Sequence, residues 1–243
     1  MLVSAGYRFV KAAALAGALV PSSRYLAQAM AREARGAAAL VELGAGNGAV
    51  TRSLVQTYPG LRLVVVELRG DLALGLCREF ELAEVHAAPA ALVLPALAGL
   101  PDATGIVSSL PFRSLPRGLK AETVSSILDF LREGEGRFMV QFTYYPGAPF
   151  RVPAGFVWCK AAFVARNLPP AHVWVLEPDA RCAPAAAAAD LAFAAELTAG
   201  EPTRPSNVVV LKPALRDGNS GAGPVIEAQT LDGRDRRTGS RHP

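Results

Sequence analysis

The chain has 243 residues, 51% of them hydrophobic, with a formal net charge of +4. That length suits one domain with a long tail or a small appendage, and the mild charge does not by itself call for nucleic acid. Three cysteines, Cys77, Cys159 and Cys182, are odd in number and far apart, which excludes a disulfide framework and metal-ligand spacing and points to a reducing compartment; Cys77 and Cys159 are read as core residues.

No run of about 18 apolar residues is long enough to span a bilayer. Ala12 to Val20 is apolar, but Pro21-Ser22-Ser23-Arg24 leads straight into another helix, unlike a signal peptide followed by a mature start. Residues 4–19 are expected to form a leading helix carrying Tyr7, Arg8 and Lys11. The first 35 residues hold five basic side chains (Arg8, Lys11, Arg24, Arg32, Arg35) and one acidic, Glu33. Such a helix can lie on an anionic membrane surface, or pack as a lid over a cleft. Pro21 stops it, Ser22 or Ser23 caps a second helix over 24–35, and Gly36 ends that one.

The stretch Val41-Glu42-Leu43-Gly44-Ala45-Gly46-Asn47-Gly48 organises the rest of the chain. It reads as a buried strand (37–43) entering a glycine-rich turn, then a helix over 50–58 and a second strand over 61–67. Glycines there let the backbone approach a ligand closely, and Glu67 ends the second strand about 20 residues on, where a ribose diol can be held. Gly44-x-Gly46-x-x-Ala49 fits a dinucleotide fingerprint. The same residues fit a Glu-x-Gly-x-Gly-x-Gly turn, with Glu42 two places before the first glycine and Gly48 one place early for the dinucleotide pattern.

Further helices are expected over 71–79 and 119–132, and further strands over 84–86, 105–108, 137–142, 156–164 and 172–177. The last two form an antiparallel pair. His86 and His172 read as structural. Ser108-Ser109-Leu110-Pro111-Phe112 follows the fourth strand at its carboxyl end, where reacting groups gather in open parallel sheets. Pro111 stiffens that loop. Beyond Pro178, residues 183–197 suggest a weak alanine-rich helix, 208–211 an added edge strand, and the chain from Arg216 a disordered tail. The domain plan is therefore N-terminal helices over 1–35, a core over 36–178 and an extension over 179–243.

Four blocks together resemble the bacterial phospholipid N-methyltransferases. Gly17-Ala18-Leu19-Val20-Pro21-Ser22-Ser23 is similar to that family's Gly-Ala-Val-x-Pro-Ser-Ser segment, and Val41 to Thr51 to its motif I. Ser108-Ser109-Leu110-Pro111 is similar to its Ser-Gly-Leu-Pro loop. Gln141-Phe142-Thr143-Tyr144, Asn167-Leu168-Pro169-Pro170-Ala171 and Val173-Trp174 resemble its C-terminal signature. Ser109 and Tyr145 stand where glycines are usual, and His86-Ala87-Ala88-Pro89-Ala90 lacks the acidic residue many relatives carry there.

The resemblance implies a Rossmann-like α/β class I methyltransferase: a seven-stranded, mostly parallel sheet with helices on both faces and an antiparallel C-terminal pair. It implies S-adenosyl-L-methionine as cofactor, held by Glu42, Gly44, Ala45, Gly46, Asn47, Gly48, Glu67 and Leu68. Tyr144, Ser108, Leu110 and Pro111 would form the acceptor gate, and Tyr7, Arg8, Lys11, Arg24 and Phe112 would meet lipid or membrane. The acceptor implied is phosphatidylethanolamine, at the cytoplasmic face of the cell membrane, without a metal. The related ribosomal RNA adenine dimethyltransferases carry an asparagine where Ser109 stands, which leans against nucleic acid. An ornithine-lipid enzyme, an RNA enzyme and a non-catalytic cofactor-binding relative remain as alternatives.

Overall fold

The structure, a computed structural model, describes residues 22–179, 208–213 and 226–231. The expected leading helix with Tyr7, Arg8 and Lys11, and the alanine-rich helix over 183–197, lie outside the described residues.

Helix α1 (Arg24–Glu33) starts where Ser23 leaves the helical conformation and its hydroxyl accepts the Leu26 N–H at 3.3 Å. Strand β1 (Leu40–Leu43) is buried at all four positions, as a central strand covered on both faces must be. The glycine turn leads into α2 (Ala49–Thr57), then β2 (Leu63–Val66), α3 (Gly70–Glu79) and β3 (Glu84–Ala87). A short helical turn, α4 (Ala90–Val93), runs into a 3-10 turn at Leu94–Leu97; neither is expected from the sequence. Strand β4 (Gly105–Ser108), α5 (Arg117–Arg132), β5 (Phe138–Thr143), β6 (Phe156–Val164) and β7 (Ala171–Pro178) complete the core.

The seven expected strands run in the order β6-β7-β5-β4-β1-β2-β3. β1 to β5 pair in parallel, and β7 runs against its neighbours β5 and β6. The sheet is larger than expected: β8 (Val208–Pro213) pairs antiparallel with β3, and β9 (Ile226–Leu231) with β8, giving nine strands. The expected edge strand at 208–211 is thus present. The expected disorder from Arg216 is corrected at 226–231, where backbone pairing to β8 supplies an order that a Gly/Arg/Asp-rich composition conceals.

Alternate strand residues feed two separate cores. Leu40, Val65, Val107, Val140 and Val173 pack with Leu26, Met30, Leu54 and Leu76 from α1, α2 and α3. Val41, Val64, Ile106, Met139 and Leu176 pack with Val93, Leu97, Ile127 and Leu131 on the opposite face. Cys77 belongs to the first core, whereas Cys159, expected in a core, is exposed on the edge strand β6. Arg137, fully buried just before β5, donates from its two terminal nitrogens to the carbonyls of Phe130, Ala98 and Leu100, while its Nε has no hydrogen-bond partner. No helix among the described residues is long and apolar enough to cross a membrane.

Candidate functional site

The carboxyl ends of β1 and β2 build the first part of the site. Gly44, Gly46 and Gly48 all have positive φ (74°, 57° and 79°), which side-chain-bearing residues rarely adopt. A Cβ on Gly44 would sit 2.8 Å from the Leu110 side chain, while one on Gly46 would meet nothing within 4 Å. The turn is therefore packed on its gate side and open above Gly46. Ala45 is buried and Asn47 exposed.

Glu67 closes this turn from below. Its Oε2 accepts the Gly46 N–H at 2.8 Å and its Oε1 accepts the Arg69 N–H at 2.9 Å. Leu68, directly after it, projects into solvent. Glu42 lies on the same face of the sheet and is wholly buried, and neither of its carboxyl oxygens has a hydrogen-bond partner. Burial pushes its pKa up to about 8, and the neighbouring Glu67 charge adds to that rise. Thr51 lies near enough to offset part of it, yet its own hydroxyl is also without a hydrogen-bond partner.

The gate loop after β4 is fixed by three hydrogen bonds. Ser109 donates its N–H to Leu43 O at 2.9 Å, Ser108 Oγ accepts the Leu110 N–H at 3.2 Å, and Gln141 Nε2 donates to Leu110 O at 3.2 Å. Leu110 and Pro111 remain half-exposed at the mouth. Two expectations are corrected. Ser108 is fully buried and its Oγ accepts the Leu110 N–H, which sets its side chain under the gate loop and not at the exposed mouth. Phe112 is 3% exposed, with its ring 4.7 Å from that of Phe150, so it braces the loop from the core and meets neither substrate nor membrane.

Tyr144 stands at the end of β5, its ring edge-on to Phe142 at 5.2 Å. Burial raises its phenol pKa, with Asn167 beside it countering in part. Asn167, buried, accepts the Ser23 N–H at 3.1 Å and donates to Pro169 O at 2.7 Å. The Pro-Ser-Ser and Asn-Leu-Pro-Pro segments thus meet beside Tyr144. Asn167 and Gln141 are site residues that the sequence does not single out, although the blocks containing them stand out. Around them lies a rim of exposed groups: Leu168 (84% exposed), Phe163 (60%), and Arg24 and Arg166, whose guanidiniums lie 4.9 and 5.4 Å from the Tyr25 ring.

His86 is buried with its Nε2 2.9 Å from Glu84 Oε1, and its carbonyl accepts the Glu67 N–H at 3.0 Å. Among the described residues no cluster of His, Cys, Asp or Glu could hold a metal ion.

No family model matches the chain, and no curated protein does. Solved structures do. A 23S rRNA methyltransferase, ErmE, is 19% identical over 63% of this chain and 67% of that one, with a TM-score of 0.44. The methyltransferase yhhF from Escherichia coli is 19% identical over 58% and 77%, with a TM-score of 0.43. The O-methyltransferase TomG from Streptomyces achromogenes, solved with S-adenosylmethionine, is 16% identical over 64% and 78%, with a TM-score of 0.43. Likeness at that level concerns the course of the chain alone.

The fold is a Rossmann-like α/β one, a mostly parallel sheet with strand order β6-β7-β5-β4-β1-β2-β3 in its main part and an antiparallel β6–β7 end. Within it, the glycine turn and the gate loop occupy the carboxyl ends of adjacent strands β1 and β4, next to the strand-order reversal where such sheets open a crevice.

Proposed function

We propose that the chain is an S-adenosylmethionine-dependent N-methyltransferase acting on the amine head group of a membrane phospholipid, with phosphatidylethanolamine as acceptor. One observation carries the cofactor assignment: the buried, partnerless carboxyl of Glu42 beneath a glycine turn whose central amide is taken by Glu67. A dinucleotide would bring a diphosphate to that amide, against two carboxyl groups. S-adenosylmethionine brings an ammonium, a sulfonium and ribose hydroxyls, which are cations and donors that carboxyl oxygens accept. In this reading Glu67 holds the ribose diol with lone pairs its two amide bonds leave available. Glu42 faces the methionine end, the open space over Gly46 admits the chain of the cofactor, and Leu68 covers the base.

The bound cofactor supplies an electrophilic methyl carbon, and the protein's part is to present a lone-pair amine about 3 Å away and in line. Leu110, wedged against Gly44 and held by Gln141, sets the distance between gate and turn. Tyr144, like any phenol, keeps its proton at neutral pH, and burial, which raises its pKa, reinforces this, so it serves as a hydroxyl donor to the head group and not as a base. Its ring offers a cation–π face to the methylated ammonium.

Support for a lipid acceptor comes from the rim of Leu168, Phe163, Arg24 and Arg166 beside Tyr144, which joins apolar and cationic groups as an anionic membrane interface requires. The resemblance of the four sequence blocks points the same way. The protein would then work at the inner face of the cell membrane without spanning it.

Methyl transfer from labelled S-adenosylmethionine to vesicles containing phosphatidylethanolamine, with chromatographic separation of the lipids, tests the proposal. Label in mono-, di- or trimethylated lipid is expected. Cofactor binding by calorimetry with no labelled lipid would overturn the lipid assignment. Tyr144→Phe is expected to lower turnover with cofactor affinity retained, and unchanged turnover would remove the hydroxyl's role.

A further inference from the structure

Gln141 lies in β5 beside Ser108 of β4, its register partner, at the carboxyl end of the sheet where the gate loop begins. Its side chain is buried. Nε2 donates to two carbonyl oxygens, Leu110 O at 3.2 Å and Phe142 O at 3.0 Å. Two acceptors on one arm fix which way the amide faces, because only its nitrogen can donate. The other arm, Oε1, is shut away from solvent and has no hydrogen-bond partner.

The polar side chains around it are engaged. Ser108 Oγ accepts the Leu110 N–H. Thr143 Oγ1 donates to Tyr145 O at 2.6 Å and accepts from Nε1 of Trp174, the residue opposite Gln141 on β7, at 3.0 Å. This network closes on itself except at Gln141 Oε1. A buried acceptor left without a donor is a cost to the fold. The hold on Leu110 uses the amide nitrogen alone, so the stability of the loop does not account for the oxygen.

We infer that Gln141 Oε1 binds the acceptor amine: it takes one N–H of the substrate and so aims the nitrogen lone pair at the methyl carbon. This rests on the amine acceptor proposed above. The link to the gate is direct, since Oε1 and the nitrogen that grips Leu110 O belong to one planar amide, and the Leu110 side chain is what closes against Gly44. Leu110 is tied through its backbone N–H and C=O, so its half-exposed side chain can turn aside for a head group.

An uncharged amide oxygen suits this step. A carboxylate in its place would favour the ammonium, whose lone pair is taken up by a proton. The amine enters after giving that proton to water. Its lone pair forms the N–C bond as the C–S bond breaks and the electrons of that bond return to sulfur, and the new ammonium then releases a proton to water. A neutral primary amine carries two N–H groups, a secondary amine one and a tertiary amine none. Gln141 therefore favours the first two methyl additions over the third.

The full chain, saturated with labelled S-adenosylmethionine, is given vesicles of phosphatidylethanolamine, its monomethyl form or its dimethyl form. Gln141→Met fills similar space with neither donor nor acceptor. It should lower kcat on the first two lipids about tenfold more than on the third, the scale of one hydrogen bond. Losing only the hold on Leu110 would lower all three alike, so equal losses would overturn the inference.

Binding gives a readout independent of turnover. With S-adenosylhomocysteine bound, calorimetry at neutral pH compares glycerophospho-N,N-dimethylethanolamine, whose ammonium keeps one N–H, with glycerophosphocholine, which has none and nearly the same bulk. The parent is expected to bind the first about tenfold more tightly, and Gln141→Met to bind both alike. Equal binding by the parent, or binding of neither probe, would overturn the inference. If no lipid is labelled while the probes show this difference and the variant removes it, the role of Gln141 stands and the lipid activity alone falls. Should Gln141→Met not fold, the preference of the parent between the two probes decides.

Discussion

Ser23 and Asn167, 144 positions apart in sequence, are joined by a 3.1 Å hydrogen bond from the Ser23 N–H to Asn167 Oδ1. The same side chain donates to Pro169 O at 2.7 Å, so one buried amide holds the start of α1 against the β6–β7 hairpin on the flank of Tyr144. Asn167→Ala leaves a buried donor and a carbonyl unpaired and is expected to cost about 1–3 kcal/mol in urea unfolding. Asn167→Asp keeps the acceptor for Ser23 and should fall between. Methyl transfer should drop further than cofactor affinity in both; unchanged stability would show that the bond does not hold the two segments together.

Glu42 gives the protein a pH dependence with a defined sign. Its carboxyl is raised from 4.5 to about 8 by burial, so the folded chain keeps a proton that the unfolded chain releases. Its contribution is fully present below about pH 4.5 and is lost as pH rises through about 8, so stability declines across that window. Glu42→Gln should remove this slope. The variant should match the parent near pH 4 and exceed it near pH 9 by on the order of a few kcal/mol, read from thermal melts. Cofactor affinity should fall in the same variant.

Binding of a cationic cofactor beside Glu42 should favour its ionised form. Calorimetry of S-adenosylmethionine at about pH 7 is then expected to show proton release, as an enthalpy that varies with the ionisation enthalpy of the buffer. Glu42→Gln should abolish that variation. A buffer-independent enthalpy in the parent would place the cofactor's charges elsewhere.

Glu67→Gln replaces one carboxylate oxygen with a donor facing either the Gly46 or the Arg69 amide. A weakening of cofactor binding by about tenfold or more is expected from the lost charge-assisted bonds, with Tyr144→Phe serving as the comparison that leaves this half of the site intact.

Leu168→Asp should leave folding stability within about ±0.5 kcal/mol, because a side chain this exposed supports little of the structure. Vesicle sedimentation should show weaker association, and turnover on vesicles should fall while turnover on a short-chain, water-soluble ethanolamine lipid holds. Equal losses on both substrates would argue against a membrane contact at this hairpin.

The parts of the fold that the sequence announces are those with continuous apolar runs bounded by glycine or proline. Leu63–Val66 and Gly105–Ser108 are of this kind, and the turn at Gly44 to Gly48 is marked by its glycines. The helical turns over 90–97 escape notice because their Ala, Leu and Pro carry no clear period. In a strand covered on both faces the pattern does not say which side a residue takes, so the inward turn of Ser108 has no sequence signal. The loop after it hides Phe112 in the same way. Asn167 and Gln141 act through partners 144 and 31 positions distant, and Glu42 is distinguished by burial with neither carboxyl oxygen in a well-formed hydrogen bond; neither property has a local signature.

The hairpin of β8 and β9 has a consequence for where the chain can be cut. A parallel sheet ending at β3 would present a row of unpaired amides and carbonyls at Val85 and Ala87, a template for a foreign strand. β8 occupies that row in register, Val85 against Leu211 and Ala87 against Val209. The segment beyond Pro178 therefore acts as a built-in guard against self-association. A protein ended at Pro178 would keep the glycine turn, the gate loop and Tyr144 and lose solubility, with aggregates seeded from β3.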